Sequence, residues 1–251
     1  MPKMATPNAL IHSDHGPMII NIHDSVIGKY ISQTGYWAND DIELIKHLID
    51  FLLTQQESVI FYDVGANIGT HALALSKIFG KQIKIRAFEA QRQIFNMLCG
   101  TMALNGVTNV FAHQLAVSNQ AGQSIQVALP NYDEPNNFGG LELMTPLRSD
   151  NQDMHKSELE DVMTTTLDSF QERIDFIKMD IEGMEDKALM GAQWVFNNFQ
   201  PICFVEILKT DVEFITHFFQ QLGYVGFRKN ADLIAIPLKY QIQLNGLERL
   251  F

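Results

Sequence analysis

Positive charge is scarce in this chain. Its 251 residues carry 18 Lys and Arg against 29 Asp and Glu, a formal net charge of −11. No local Lys/Arg cluster offsets that balance. Nucleic acid is bound chiefly by neutralising its phosphates, so it is not an expected partner. Cysteine is nearly absent. Cys99 and Cys203 stand far apart in apolar settings, which predicts two buried free thiols and a reducing compartment. Long apolar runs are missing as well: no stretch reaches the roughly 18 residues that a membrane span needs. The first residues, Met1 to Pro7, lack the apolar core of a signal peptide, and a cytoplasmic location is expected.

The signatures of several catalytic classes are also missing. The eight histidines and two cysteines show no His-x-x-x-His or Cys-x-x-Cys spacing, which removes the usual zinc patterns. No Gly-x-Ser-x-Gly elbow occurs, and neither cysteine has an adjacent partner for nucleophilic work. The Asp/Asn-Pro-Pro-Tyr signature, used to stack planar amino groups, is absent too.

What is there suffices for one large α/β core, with 46% hydrophobic and 19% charged residues. Residues 1 to about 16 read as a polar tail. Met18–Ile22 and Val26–Ile31, separated by Asp24 and Ser25, fit a small hairpin. Ile42, Ile45, Leu48, Ile49 and Leu52 recur at helical spacing between Asp40 and Leu53. A tail, hairpin and small N-terminal cap over 1–55 are therefore expected ahead of a ligand-binding domain over 56–251.

From Val59 onward strand and helix patterns alternate. Strands are expected from Val59, then at Gln82–Phe88, Val110–Leu115, Ile174–Met179 and Pro201–Ile207. Helices are expected from Gly69 to Gly80, Gln91–Leu104, Asp186–Asn197 and Val212–Leu222. Tyr224–Arg228 and Leu233–Pro237 read as an antiparallel pair. The fold class this predicts is a doubly wound α/β sheet, mostly parallel, with an antiparallel edge strand. The rhythm breaks between the third and fourth strands. There Gln123–Leu129 and Gly139–Met144 read as short strands around two polar runs, Asn131–Asn137 and Ser149–Asp161. Long loops in a compact domain are usually functional, so an acceptor loop over 131–161 is expected.

The most informative segment runs from Val59 to Thr70: an apolar strand, Asp63, and the loop Gly65-Ala66-Asn67-Ile68-Gly69 opening a helix. A pyrophosphate favours backbone N–H groups and is repelled by a carboxylate at the strand end. S-adenosylmethionine carries no phosphate and offers a cationic sulfonium and ammonium, so Asp63 favours it over NAD. Glu89 ends the second strand, placed to hold two ribose hydroxyls or merely to cap the next helix. Lys178 and Asp180 end the fourth strand, pointing to the same side of the extended chain. They are either a structural ion pair or the means of moving a substrate proton. Glu206 ends the fifth strand beside them, and Asp180, Glu182 and Glu206 together offer oxygen ligands for a divalent cation. His71 reads as a helix residue near the ligand or a base. Tyr36 and Trp37 read as cap packing or as lining of an acceptor pocket. The amides of Asn136-Asn137-Phe138-Gly139-Gly140 suit either a plain turn or a polyol.

Four ordered segments carry a family resemblance. They are Asp63-Val64-Gly65-Ala66-Asn67-Ile68-Gly69, Phe88-Glu89-Ala90, Thr166-Leu167-Asp168, and Lys178-Met179-Asp180-Ile181-Glu182-Gly183-Met184-Glu185. Together with Thr34-Gly35-Tyr36-Trp37 they resemble the FkbM family of methyltransferases, over roughly Asp24 to Glu206. The one departure is Ala90, where that family commonly has proline, which alters the turn and not the ribose contact. The resemblance implies a class I, Rossmann-like fold that uses S-adenosylmethionine to methylate oxygen, often in sugars, glycans or secondary metabolites. Read together, Asp63, Gly65, Asn67, Gly69 and Thr70 hold the methionine end of the donor, Glu89 the ribose, and Ala116 borders the adenine. Asp180 takes the acceptor's proton, with Lys178, Glu206 and Glu182 beside it. An NAD-dependent sugar oxidoreductase and a non-catalytic donor-binding module are the alternatives.

Overall fold

The computed structural model describes residues 6–141 and 154–251. Its first elements, β1 (Asn8–Ser13) and β2 (Gly16–Asn21), pair as an antiparallel hairpin. The hairpin therefore lies upstream of its expected place, and part of the expected tail is a strand. Val26–Ile31, read from sequence as a strand, instead leads into helix α1 (Ile27–Thr34). Local capping and burial decide this. The Asp24 carboxylate accepts from the Val26 amide at 3.0 Å, and Ile27, Gly28 and Ile31 are buried on one face. Gly35 then closes the helix in the left-handed conformation. The strand preference of branched residues is a weak term against such burial.

Helix α2 (Asn39–Leu53) follows the sequence closely. Asp40 and Asp41 lie in its first turn, where the helix dipole favours acids, and Ile42, Ile45, Leu48, Ile49 and Leu52 are buried. Then come β3 (Val59–Val64), α3 (Thr70–Phe79), β4 (Ile83–Phe88), α4 (Arg92–Leu104) and β5 (Val110–His113). Strands β6 (Ala116–Val117), β7 (Ser124–Pro130) and β8 (Met154–Thr165) form a small separate sheet in the order β6-β8-β7. The polar run Ser149–Asp161, expected as loop, thus enters a long strand from Met154 onward. Pairing explains the change: Leu159 to Met163 run antiparallel to Ala128 to Ser124 of β7, with Val162 buried. Of the expected strand Gly139–Met144, residues 139–141 are turn and coil, and the rest lies outside the described residues.

The chain returns through β9 (Phe176–Met179), α5 (Glu185–Met190), α6 (Gln193–Asn198), β10 (Ile202–Glu206) and α7 (Val212–Gln221). It ends with β11 (Tyr224–Lys229), β12 (Asp232–Pro237) and β13 (Glu248–Arg249). The single helix expected over Asp186–Asn197 is broken at Gly191 and Ala192. A Cβ on Gly191 would stand 2.3 Å from the Ser118 carbonyl, so the chain turns there against its neighbour.

The main sheet has eight strands in the order β13-β11-β12-β10-β9-β3-β4-β5. Strands β10 to β5 are parallel, and the antiparallel part is the C-terminal edge, with β12 set between β10 and β11. Each face has its own core, as period-two alternation requires. Phe61, Ile85 and Phe176 pack with α2, α3 and α4 on one face. Tyr62, Ile177 and Cys203 pack with α5, α6 and α7 on the other. Cys99 is only partly buried, and both thiols are free. Strand order reverses between β3 and β9, which opens a crevice at their carboxyl ends.

The Thr166-Leu167-Asp168 segment supports this layer and lies behind the crevice. Asp168 accepts from the Trp194 and Val195 amides at 2.9 and 3.0 Å, capping the start of α6. Replacing Asp168 by Ala should cost about 1–2 kcal/mol of stability, the usual worth of such a cap. Urea unfolding would measure it, and ligand affinity should stay unchanged.

Candidate active site

A cleft with about 1050 Å³ of empty space opens at the switch point. Its floor depends on Gly65, which has φ of +79°. A Cβ there would sit 1.8 Å from the Asp180 carbonyl oxygen, so only glycine lets the ends of β3 and β9 meet. The Gly65 and Ala66 amides donate to Phe88 O at 3.0 and 2.9 Å, tying the loop to β4. Asn67 is left-handed as well, with φ of +50°. Gly65, Asn67 and Thr70 line the cleft. Gly69 does not: it turns the chain into α3 and faces Leu98 and Met102.

Glu89 lies at the far side of this loop, buried and lining the cleft. Its two carboxylate oxygens accept from the Asn67 amide at 3.0 Å and the Gln91 amide at 2.8 Å. Burial pushes its pKa up to about 7 despite those two bonds. Fixed by backbone on both oxygens, the carboxylate keeps further lone pairs for hydroxyl donors. Leu115, Ala116 and Val117 form an apolar wall beside it. This is the side chemistry a nucleoside needs: an acid for the sugar and a flat apolar slot for the base.

The opposite end is acidic. Lys178 is buried, donates to Gly65 O at 2.9 Å, and stands 3.7 Å from Asp63 and 3.6 Å from Asp180. Burial alone would lower its pKa, but Asp180, Asp63, Asp232 and Glu206 together hold it above the ordinary value. Asp63, expected to meet the donor, is fully enclosed and does not line the cleft. Burial raises its pKa to about 6 against the pull of Lys178. Asp63 therefore bears on the cleft through Lys178.

Asp180, Glu182 and Glu206 all line the cleft and bring carboxylate oxygens within 4.8 Å of one another. An oxygen set of this kind suits a hard divalent cation. Lys209 already pairs with Glu182 at 2.6 Å. Burial first, then Asp180, Glu182, Glu185 and Asp232, pushes Glu206 up to about 8. Glu185 has a different task. It accepts from the Ile181 and Gly183 amides at 2.8 and 3.0 Å, which holds Glu182 at φ of +55°. His71 lines the cleft as a neutral ring, driven down to about 3 by burial, Lys178 and Lys229.

A roof covers the cleft, partly from the segments expected to meet an acceptor and partly from Val26 and Ile27, which were not. Val26, Ile27 and Trp37 from the N-terminal elements line it together with Asn137, Gly139, Gly140 and Leu141. The Ser25 amide donates to Asn136 O at 2.8 Å, and the Asn136 amide donates to His23 O at 3.0 Å. Lys209 Nζ donates to Gly140 O at 3.4 Å. Of these, Trp37 and the Asn136–Gly140 segment were legible as candidates. Lys209 and Gln91 carry no motif that would have marked them.

The pattern of the Methyltransferase FkbM domain matches residues 63–225. The chain belongs to the FkbM methyltransferase family. The family is one of S-adenosylmethionine-dependent enzymes. Among solved structures, methyltransferase FkbM from Methylobacillus flagellatus KT is similar at 18% identity and a TM-score of 0.51. That similarity covers 72% of this chain and 44% of the other, so the chain spans less than half of that relative. At this identity the likeness shows the fold alone, a class I methyltransferase sheet. M. jannaschii TYW2, solved in complex with AdoMet, is 14% identical over 92% of this chain and 84% of its own, with a TM-score of 0.44. A comparison with curated proteins finds no match. Among the described residues, no helix is long and apolar enough to cross a membrane.

The buried acids of this FkbM cleft set the pH dependence of its stability. Burial raises Glu89, Glu185 and Asp232 to about 7 and Glu206 to about 8. Each raised acid binds its proton more tightly folded than unfolded, so stability falls as pH rises through that range. His71 acts in the opposite sense, but only below its ordinary value of 6.5. The thermal midpoint of the ligand-free protein should therefore drop between about pH 6.5 and 8.5, and Glu206→Gln should flatten the drop. A midpoint that stays flat or climbs over that interval would show that the folded protein holds these protons no more tightly than the unfolded chain.

Proposed function

We propose that this protein transfers the methyl group of S-adenosylmethionine to a hydroxyl of a sugar, glycan or other small metabolite. The observation that carries the reading is one cleft with two unlike ends. A backbone-held acid and an apolar slot lie at one end, and three converging carboxyls lie at the other. The donor's ribose meets Glu89, and its adenine lies against Ala116. Its methionine end follows the Gly65–Thr70 loop, with Asn67 and Thr70 in reach. Asp63 and Gly69 support that loop from behind.

In the transfer, the acceptor oxygen attacks the methyl carbon while the carbon–sulfur bond breaks and its electron pair returns to sulfur. The sulfonium is already a good leaving group, so alignment in a water-poor site supplies most of the rate. The hydroxyl proton passes to Asp180, whose carboxylate Lys178 holds in place, with Glu206 and Glu182 beside it. Acid–base assistance of this kind contributes about 10²–10⁴-fold.

Calorimetric titration with S-adenosylhomocysteine tests the donor assignment, with NAD as control and each run repeated with magnesium ion. Micromolar binding of the first alone supports the reading, and binding that requires magnesium would add the cation to the acid cluster. Asp180→Ala should retain that affinity within about threefold and lower methyl transfer at least about 100-fold across a panel of hydroxylated acceptors. Loss of donor affinity in this variant would make Asp180 a cofactor ligand. No transfer to any hydroxyl by the native protein would leave a donor-binding module.

A further inference from the structure

Gln91 occupies the N-cap position of α4, where Ser, Thr, Asp and Asn are preferred because their side chains bond the helix's free amides. Its side chain makes no such bond. Instead it reaches out of the helix while buried to 7% exposure. Its amide nitrogen donates to Phe138 O at 2.7 Å, and its amide oxygen accepts from the Tyr132 hydroxyl at 3.1 Å. The Tyr132 and Phe138 rings pack in a tilted pair with centroids 4.8 Å apart. Tyr132 O in turn accepts from Asn21 Nδ2 at 2.9 Å, so the same knot reaches the hairpin. Burial first, and then the nearby Glu89 charge, raises the Tyr132 pKa, which keeps the phenol a donor.

The backbone of Gln91 faces the other way. Its amide holds Glu89, the acid assigned above to the ribose. One residue thus joins the donor's acid to the loop that roofs the acceptor end, through a backbone bond on one side and two side-chain bonds on the other.

We propose that Gln91 is a positioning residue that locks the loop Asn131–Leu141 onto the donor site, so that donor occupancy completes the acceptor pocket. This rests on the donor reading given above. A ribose hydrogen-bonded to Glu89 stiffens the Glu89–Gln91 turn, and the Gln91 amide passes that order to Phe138 and Tyr132. Linkage makes the effect reciprocal: a loop held in place favours the donor, and the donor holds the loop. Gln91 also lines the cleft, and its proposed role runs through its bonds to these neighbours. Its conservative loss should spare donor affinity more than it spares loop order.

Hydrogen exchange of the full-length protein, with and without saturating S-adenosylhomocysteine, reads this without knowledge of the acceptor. In the native protein the ligand should slow amide exchange over residues 133–141 at least about fivefold. Gln91→Met keeps the volume and the backbone bond to Glu89 but removes both side-chain bonds. It should bind the ligand within about threefold by calorimetry, with the ligand-dependent slowing lost. Tyr132→Phe, a milder change, should cut the slowing by about half and serves if the first variant does not fold. Retention of the full slowing in both variants would overturn the proposal. So would faster exchange in both ligand states at an unchanged ratio, which marks a structural role only. Binding to the native protein without any slowing would also overturn it. No binding to the native protein would remove the donor reading itself, a distinguishable failure.

Discussion

The contact between the buried Lys178 ammonium and the Gly65 carbonyl joins the two halves of the site. Gly65 follows β3 and Lys178 lies in β9, so the bond spans the point where strand order reverses. A buried ammonium is costly unless it is paired, and this one has Asp63 behind it and Asp180 before it. The fully enclosed Asp63 carboxylate exists in the fold to balance that cation. The glycine is fixed by the same junction, since a Cβ at Gly65 would displace the Asp180 carbonyl. The donor loop and the acidic end are therefore one construction, and disturbing either member moves both.

The remaining acids cluster because each sits at the same edge of the sheet, Asp180 and Glu206 at the carboxyl ends of parallel strands and Asp232 at the start of an antiparallel one. Asp180 follows β9, Glu206 ends β10, and Asp232 begins the antiparallel β12 directly opposite Glu206. Like charges opposed across strands are unfavourable. Burial and this crowding together raise the pKa values of Glu206 and Asp232. Lys209 and Lys178 supply the compensating charge from the rim and the floor. The roof closes over the same space from elements far away in sequence, through main-chain bonds between residues 23–25 and Asn136.

Much of the fold was legible in the sequence, for a plain reason. Buried parallel strands such as β3 and β10 read as near-continuous apolar runs, β4 as an alternating one, and all three lie within a residue or two of their expected bounds. The α2 stripe shows the same fidelity, since five apolar positions at helical spacing leave little choice. The misreadings fall where local preference and tertiary burial disagree. Val26–Ile31 has a strand-like composition yet becomes α1, because Asp24 caps it and Ile27 and Ile31 face the core. The polar run before Val162 became β8 because β7 offered it a partner, which no local pattern announces.

For the site, the sequence by itself determined the residues with strict chemical or steric demands. These are the glycine at the switch point, Glu89, and the Lys178–Glu185 segment at the end of β9. Such positions are legible because no other residue type satisfies the backbone angle or supplies the charge. Tertiary structure alone decided which of them face the ligand. It enclosed Asp63 behind Lys178, turned Gly69 toward α4, and set Glu185 to hold a loop instead of a substrate. It also brought Gln91, Tyr132 and Lys209 to the cleft's roof, although their types are common and their partners lie tens of residues away. Side-chain direction is a property of packing, and packing is set by neighbours that the linear sequence keeps apart.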